Sequence, residues 1–311
     1  MSLRQSPKVI SRIKRAYTDI EEAFLTSTKP VILKENEKFL LEVNRILDTG
    51  RINKINSLKI DLKGYREPVY NLLVNSYRAG RVTGLIETLE LKQYYERKNQ
   101  KVLLENIDIV DNVLNGIIDT FTTALNSKDK EKVKKFSVLP YKALKFYSGY
   151  SLKLKGVLDQ DLLQKVKGKI YKGIETGLSI PDIKYSIEDT LPSFSDWRLT
   201  NIARTETSNT MSKSRMESFS SSEVGGFIVA AQFSSIMDGR TTKICEDRHG
   251  IIARLNNPWW NGNTPSLHYQ CRSTVIPVSK YDIIEEGLEN KIDVIPAGLE
   301  SVMEGFGFSR N

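Results

Sequence analysis

Every cysteine and histidine in the chain lies between Cys245 and Cys271, in the order Cys245, His249, His268, Cys271, with the spacing C-x3-H-x18-H-x2-C. Two short-spaced pairs of thiolate and imidazole donors, separated by a loop, are the usual makings of a tetrahedral zinc site, because each pair comes from one turn. A structural zinc ion is the cofactor expected of such a set, with Asp247 as a reserve ligand. Binding it would force two turns distant in sequence to fold back on each other. Two other readings of the same residues stay open. Cys245 and Cys271 can be small buried hydrophobes, with His249 exposed in a polar loop and His268 hydrogen-bonded near a turn. They can also form a disulfide once the protein leaves a reducing cell. Two cysteines are in any case too few for the disulfide framework of a small secreted domain.

The residues leading up to this cluster change character at Ser220-Ser221-Ser222 and Gly225-Gly226. Before that point the pattern is helical. From Lys101 to Leu125, Leu103, Ile107, Val110, Leu114, Ile117 and Phe121 recur on one face of a long amphipathic helix. Helices are also expected around Tyr141–Tyr150 and Gln160–Gly177. Another is expected from Ser179, an N-cap with Pro181 in the first turn, closing at Pro192-Ser193. A further one runs from Trp197 to about Glu217. Past the glycines, the segments 227–233, 251–253 and 274–277 have strand propensity and suit a small antiparallel sheet with long loops.

The expected fold is therefore α+β and predominantly α: a helical N-terminal region followed by a domain of helices and a small antiparallel sheet. Along the chain this divides into a basic arm over 1–34, extended or weakly ordered, with a turn or linker at Thr26-Ser27-Thr28-Lys29-Pro30. A helical domain over 35–130, a mixed domain over 131–280 and an acidic tail over 281–311 follow. With 40% hydrophobic and 27% charged residues the chain has material for two packed units. No stretch approaches the roughly 18 apolar residues of a membrane span, and the start lacks the apolar core and cleavage site of a signal peptide. Folding in a cytoplasm, with no membrane partner, is the expectation.

The formal charge of +8 is concentrated in one place. Between Lys128 and Lys172, thirteen lysines face four acidic residues. Phe136, Tyr141, Phe146, Tyr147, Tyr150 and Tyr171 are interleaved with them. Cations mixed with rings can grip phosphates and stack on bases, and no base-reading motif accompanies them. Lys130, Lys132, Lys134, Lys135, Lys142, Lys145, Lys165, Lys167 and Lys169 are the candidate contacts to double-stranded DNA of any sequence. A solvated helical surface whose aromatic residues face inward is the alternative.

Three ordered motifs carry a resemblance. Ile202-Ala203-Arg204-Thr205-Glu206-Thr207 comes first. Asp238-Gly239-Arg240-Thr241-Thr242-Lys243-Ile244-Cys245 follows, with His249-Gly250 after it. Pro265-Ser266-Leu267-His268-Tyr269-Gln270-Cys271-Arg272 closes the series. Together they resemble the signature of the Mu F-like head-morphogenesis proteins of phages, over roughly residues 160 to 280. Many members carry Cys-Arg-Cys where this chain has Cys271-Arg272-Ser273. The resemblance implies a minor capsid protein inside the phage head, made in the host cytoplasm and associated with the portal. Portal, capsid or scaffold proteins and DNA would be its partners, and procapsid assembly and DNA packaging or ejection its work. Arg204, Thr205, Glu206, Asp238, Arg240, Thr241 and Arg272 are then the structural motif residues, of which Arg204, Asp238, Arg240 and Arg272 are expected to knit the Arg-Thr-Glu helix to the two following turns through paired, hydrogen-bonded charges, contact with a ligand or nucleic acid being the alternative. The competing reading is an enzyme acting on nucleic acid or nucleotides, with a cysteine nucleophile beside a histidine. Against it, the chain has no P-loop, HExxH or GxSxG, and no enzymatic activity is expected.

Overall fold

The computed structural model describes residues 7–50, 52–99 and 141–303. In chain order these form α1 (Pro7–Asp48), α2 (Arg66–Asn99), α3 (Tyr141–Glu175) and α4 (Ile180–Phe219). After them come β1 (Ile228–Ser234), α5 (Lys243–Glu246), β2 (Ile252–Arg254), α6 (Trp260–Asn263), β3 (Thr274–Ser279) and α7 (Lys280–Glu286). The architecture is predominantly α with a small antiparallel sheet, as the residue pattern implies. The amphipathic stretch Lys101–Leu125 and the four lysines Lys130, Lys132, Lys134 and Lys135 lie outside the described residues. The chain forms two compact units built from segments far apart in sequence. Among described residues, one unit holds 21–74 and 141–203, and the other holds 7–20, 75–99 and 204–303.

The all-helical unit is organised by apolar residues recurring every turn. Leu158, Leu162, Val166 and Ile170 of α3 and Ile183, Ile187 and Leu191 of α4 are all buried, and so are Phe24, Ile32, Phe39, Val43 and Leu47 of α1. Spacings of four, seven and eight residues put each set on one helix face. Polar groups inside this packing are paired: the Asn36 amide donates to Ser195 Oγ at 2.9 Å. At the rim, Arg198 meets Asp161 at 2.7 Å and Lys29 meets Asp196 at 2.7 Å. The turn between α3 and α4 uses Gly177 at φ 72°, a left-handed position that glycine adopts without a Cβ clash. Ser179 then accepts a hydrogen bond from Asp182 N, the expected cap.

Two expectations fail here for one reason. The arm expected to be extended or weakly ordered is helix from Pro7 onward, and the break expected at Pro192-Ser193 is absent, so one helix runs from Ile180 to Phe219. Tyr141–Tyr150 and Gln160–Gly177 likewise merge into the single α3. A proline inside a helix costs about 3 kcal/mol through its missing N–H and a ring clash. Burying one large aliphatic side chain returns about 1.5–3 kcal/mol, and α4 alone buries Ile183, Ile187, Leu191 and Leu199 around its proline. Both prolines are exposed, as are Thr26 and Glu188, whose carbonyls lose their donor, so water can serve them.

In the second unit the sheet has the order β2-β1-β3, antiparallel throughout. The three segments expected as strands are the strands observed, each within a residue or two. Central β1 pairs Ala231 with Ala253 on one side and with Pro277 on the other, and the ladder shifts register between Ile228 and Ala230. Pro277 sits in β3, an outer strand, where its missing N–H costs no ladder bond to a further neighbour. Alternation gives the sheet two apolar faces. One joins Ala231, Phe233, Ala253 and Val275 to Leu91, Tyr95 and Phe219 of the helices and to Cys245, Trp260, Leu267 and Cys271 of the loops. The other joins Ala230, Ile252 and Val278 to Leu288. A parallel bridge from Ile252 to Ile292 covers the outer side of β2. The acidic C-terminal stretch is thus partly structural: Ser279 and Asp282 form a capping box at the start of α7, and Asp293 pairs with Arg254.

Behind β3, α2 and α4 pack closely. A Cβ on Gly80 would lie 2.0 Å from Ser214 Oγ and 2.5 Å from the Met211 carbonyl oxygen, so only glycine lets the helices approach this far. Beside this contact the fully buried Arg215 makes two 2.7 Å bonds to Glu87 and one of 2.9 Å to the Val275 carbonyl. Bidentate pairing satisfies a charge that burial would otherwise penalise heavily.

Candidate metal centre

Cys245 sits in the single turn of α5, and His268 and Cys271 lie on the loop that leads into β3. Their ligating atoms all fall within 4.8 Å of one another. Cys245 Sγ is 3.6 Å from Cys271 Sγ and 3.1 Å from His268 Nε2. Both thiols are buried and the imidazole is half-buried. The fourth member of the expected set is elsewhere. His249 is exposed, and its Nδ1 accepts from the Ser235 backbone N–H at 3.0 Å, which pins the start of the loop after β1. Three of the four expected ligands therefore converge, and the correction has a simple cause: Gly250 N bonds to the Phe233 carbonyl and Phe233 N to the Ile251 carbonyl, so His249 is held at the end of the β1–β2 hairpin.

The geometry of the three suits a metal ion. Zinc at ordinary bond lengths in a tetrahedron needs an S···S edge of about 3.8 Å and an S···N edge of about 3.6 Å. The observed 3.6 and 3.1 Å would need only a slight opening. The imidazole is also set for ligation. His268 Nδ1 lies 2.8 Å from the Tyr269 carbonyl oxygen, so it carries the proton and donates, leaving the Nε2 lone pair toward the thiols. Without a metal the two thiols share a hydrogen bond that depresses the Cys271 pKa, with His268 adding to the effect, and raises that of Cys245. Burial works against a charged His268, and the Cys271 side chain more than reverses this.

Around the three, hydroxyls form a polar collar that motif spacing did not single out. Ser235 Oγ donates to the Cys245 carbonyl at 2.9 Å and lies 3.0 Å from Ser273 Oγ. Thr242 Oγ1 lies 2.9 Å from His268 Nε2. Ser273 stands where a Cys-Arg-Cys block would place its second cysteine.

Of the charged motif residues, Asp238, Arg272 and Arg204 make side-chain contacts around the centre. Asp238 Oδ1 accepts from Arg240 N at 2.9 Å, and the Thr241 hydroxyl bridges Asp238 N and the Ile236 carbonyl, so Asp238-Gly239-Arg240-Thr241 is a self-bonded turn. Arg272 grips both oxygens of Asp238 at 2.6 and 2.7 Å, and this holds the Asp238 pKa well below the carboxylate range. The Arg-Thr-Glu segment reaches the same loop. Thr205 Oγ1 accepts from Gln270 N at 3.2 Å, and Arg204 Nη1 lies 3.4 Å from Gln270 Oε1. Gln270, missed in the sequence, holds a left-handed φ of 56° that turns the chain between His268 and Cys271. Glu206 is buried in α4 and the Arg240 side chain is exposed.

Residues 164–276 match the family model described as Phage Mu protein F like protein. The chain carries a Mu F-like region. It begins in α3, includes all of α4, β1 and β2, and ends within β3, so the converging thiols, the imidazole and the Asp238–Arg272 pair all belong to it. Its extent agrees with the roughly 160–280 expected from the motifs. No curated protein and no solved structure matches the chain.

Of the candidate DNA contacts, Lys142 and Lys145 are exposed beside Phe146, which is 37% exposed and stacks on Tyr150 with centroids 5.8 Å apart. Three others have partners within the helical unit: Lys165 lies over the Phe194 ring, Lys167 bonds the Asn56 carbonyl and Lys169 bonds Ser186.

Proposed function

We propose that the chain is a phage head-morphogenesis protein, carried as a minor capsid component inside the virion and present in the host cytoplasm during assembly. Its partners are the portal, capsid or scaffold proteins, and double-stranded DNA, which it binds without sequence preference during packaging or ejection. The observation that carries this reading is the Mu F-like region, matched over residues 164–276. The exposed Lys142 and Lys145 beside a partly exposed aromatic pair support the DNA contact. A structural zinc ion held by Cys245, His268 and Cys271 belongs to the same proposal, its role being to fasten α5 to the loop before β3. The burial of Cys271, at 4% exposed, speaks against use of its thiolate as a nucleophile.

The test is assembly. Particles produced without this chain should form heads that package or deliver DNA poorly, and tagged chain should co-purify with portal-containing procapsids. Normal infectivity without the chain, with no portal retained, would remove the reading.

A further inference from the structure

We infer that the metal centre is completed by an oxygen corner, the hydroxyl of Thr242, giving a site of two thiolates, one imidazole and one threonine oxygen. The inference rests on the metal reading of Cys245, His268 and Cys271. Thr242 occupies the N-cap of α5, where a threonine hydroxyl ordinarily bonds a backbone N–H of the first turn, yet it makes no such bond. Instead Oγ1 points at His268 Nε2, 2.9 Å away. That places it against the imidazole donor, whose Nε2 is itself 3.1 Å from Cys245 Sγ, on the half-exposed side of the cluster.

The other nearby hydroxyl is committed elsewhere. Ser273 is buried, and its Oγ sits 3.0 Å from Ser235 Oγ, which itself donates to the Cys245 carbonyl. His249 is held by Ser235 N, and Asp247 is tied to Lys243 and to Glu300 N. Two thiolates with one nitrogen and one oxygen form a borderline set that accepts zinc and cobalt alike and grips either less firmly than a four-thiolate cage would.

Metal content of the purified full-length chain comes first. Stoichiometric zinc that is lost in a folded Cys245→Ser variant is expected. Absence of stoichiometric metal from the wild type after reconstitution with zinc would overturn the metal reading itself. With metal present, cobalt substitution reads the fourth corner. Thr242→Val should weaken zinc retention against a chromophoric chelator by about 10- to 100-fold. Thr242→Cys should add a third thiolate, seen as increased sulfur-to-cobalt charge-transfer absorption and tighter retention. His249→Ala should match the wild type. Gain of that absorption in Ser273→Cys but not in Thr242→Cys would overturn the assignment in favour of Ser273. Loss of metal in His249→Ala would overturn it in favour of the histidine.

Discussion

Arg215 shows what a single residue can do to an interior. Its guanidinium is fully buried and relies on Glu87, so removing either partner leaves an uncompensated charge where water cannot reach. Glu87→Gln should therefore destabilise the folded chain by about 3–5 kcal/mol in urea titration, whereas replacing both residues with apolar ones of like volume should cost much less. A single variant as stable as the double one would contradict this. Asp238 behaves differently because it is exposed. Its carboxyl, held down first by the Arg272 hydrogen bonds and then by Arg240 N, has a lower pKa folded than unfolded. Its contribution is then present above the unfolded value near 3.9 and fades as pH falls toward the folded one. Thermal melts from pH 7 down to pH 2 should show the wild type converging on Asp238→Asn below about pH 4. Parallel curves across that range would count against the assignment.

At the level of elements, the prolines in α1 and α4 separate local preference from packing. Each helix continues through its proline because the buried stripe on the opposite face contributes more than the ring costs. Pro192→Ala should restore the bond to the Glu188 carbonyl and raise stability, by up to about 3 kcal/mol less the entropy the unfolded chain regains. An unchanged or lower denaturation midpoint would mean that the helix is already adapted to the proline. The helix–helix contact at Gly80 has the opposite sensitivity. An added Cβ meets Ser214 Oγ and the Met211 backbone, so Gly80→Ala should destabilise by about 1–3 kcal/mol despite the better helix propensity of alanine.

For the whole molecule, the charge matters through its placement. The +8 excess favours polyanions in general, but Lys165, Lys167 and Lys169 already have partners inside the helical unit, while Lys142 and Lys145 are exposed. If the latter two contact phosphates, Lys142→Glu with Lys145→Glu should lower affinity for random-sequence DNA. The log affinity against log salt slope should flatten by about 0.9 per lost contact. An unaltered slope would move the DNA contact to other residues.

Residue pattern alone determined the predominantly helical character, the three strands and the Mu F-like motifs, and one of its readings of the thiols and imidazoles brought Cys245 close to Cys271. These follow from short-range periodicity and from donor chemistry that needs neighbours. Only the tertiary structure decided that helices pass through Pro30 and Pro192, that His249 stands apart, and that Thr242, Gln270, Ser235 and Ser273 frame the centre. Hydroxyls and amides leave no spacing signature, because their partners are chosen by whichever backbone or side chain the folded turns bring within 3 Å or so. A proline's fate likewise depends on which face of its helix the rest of the chain covers.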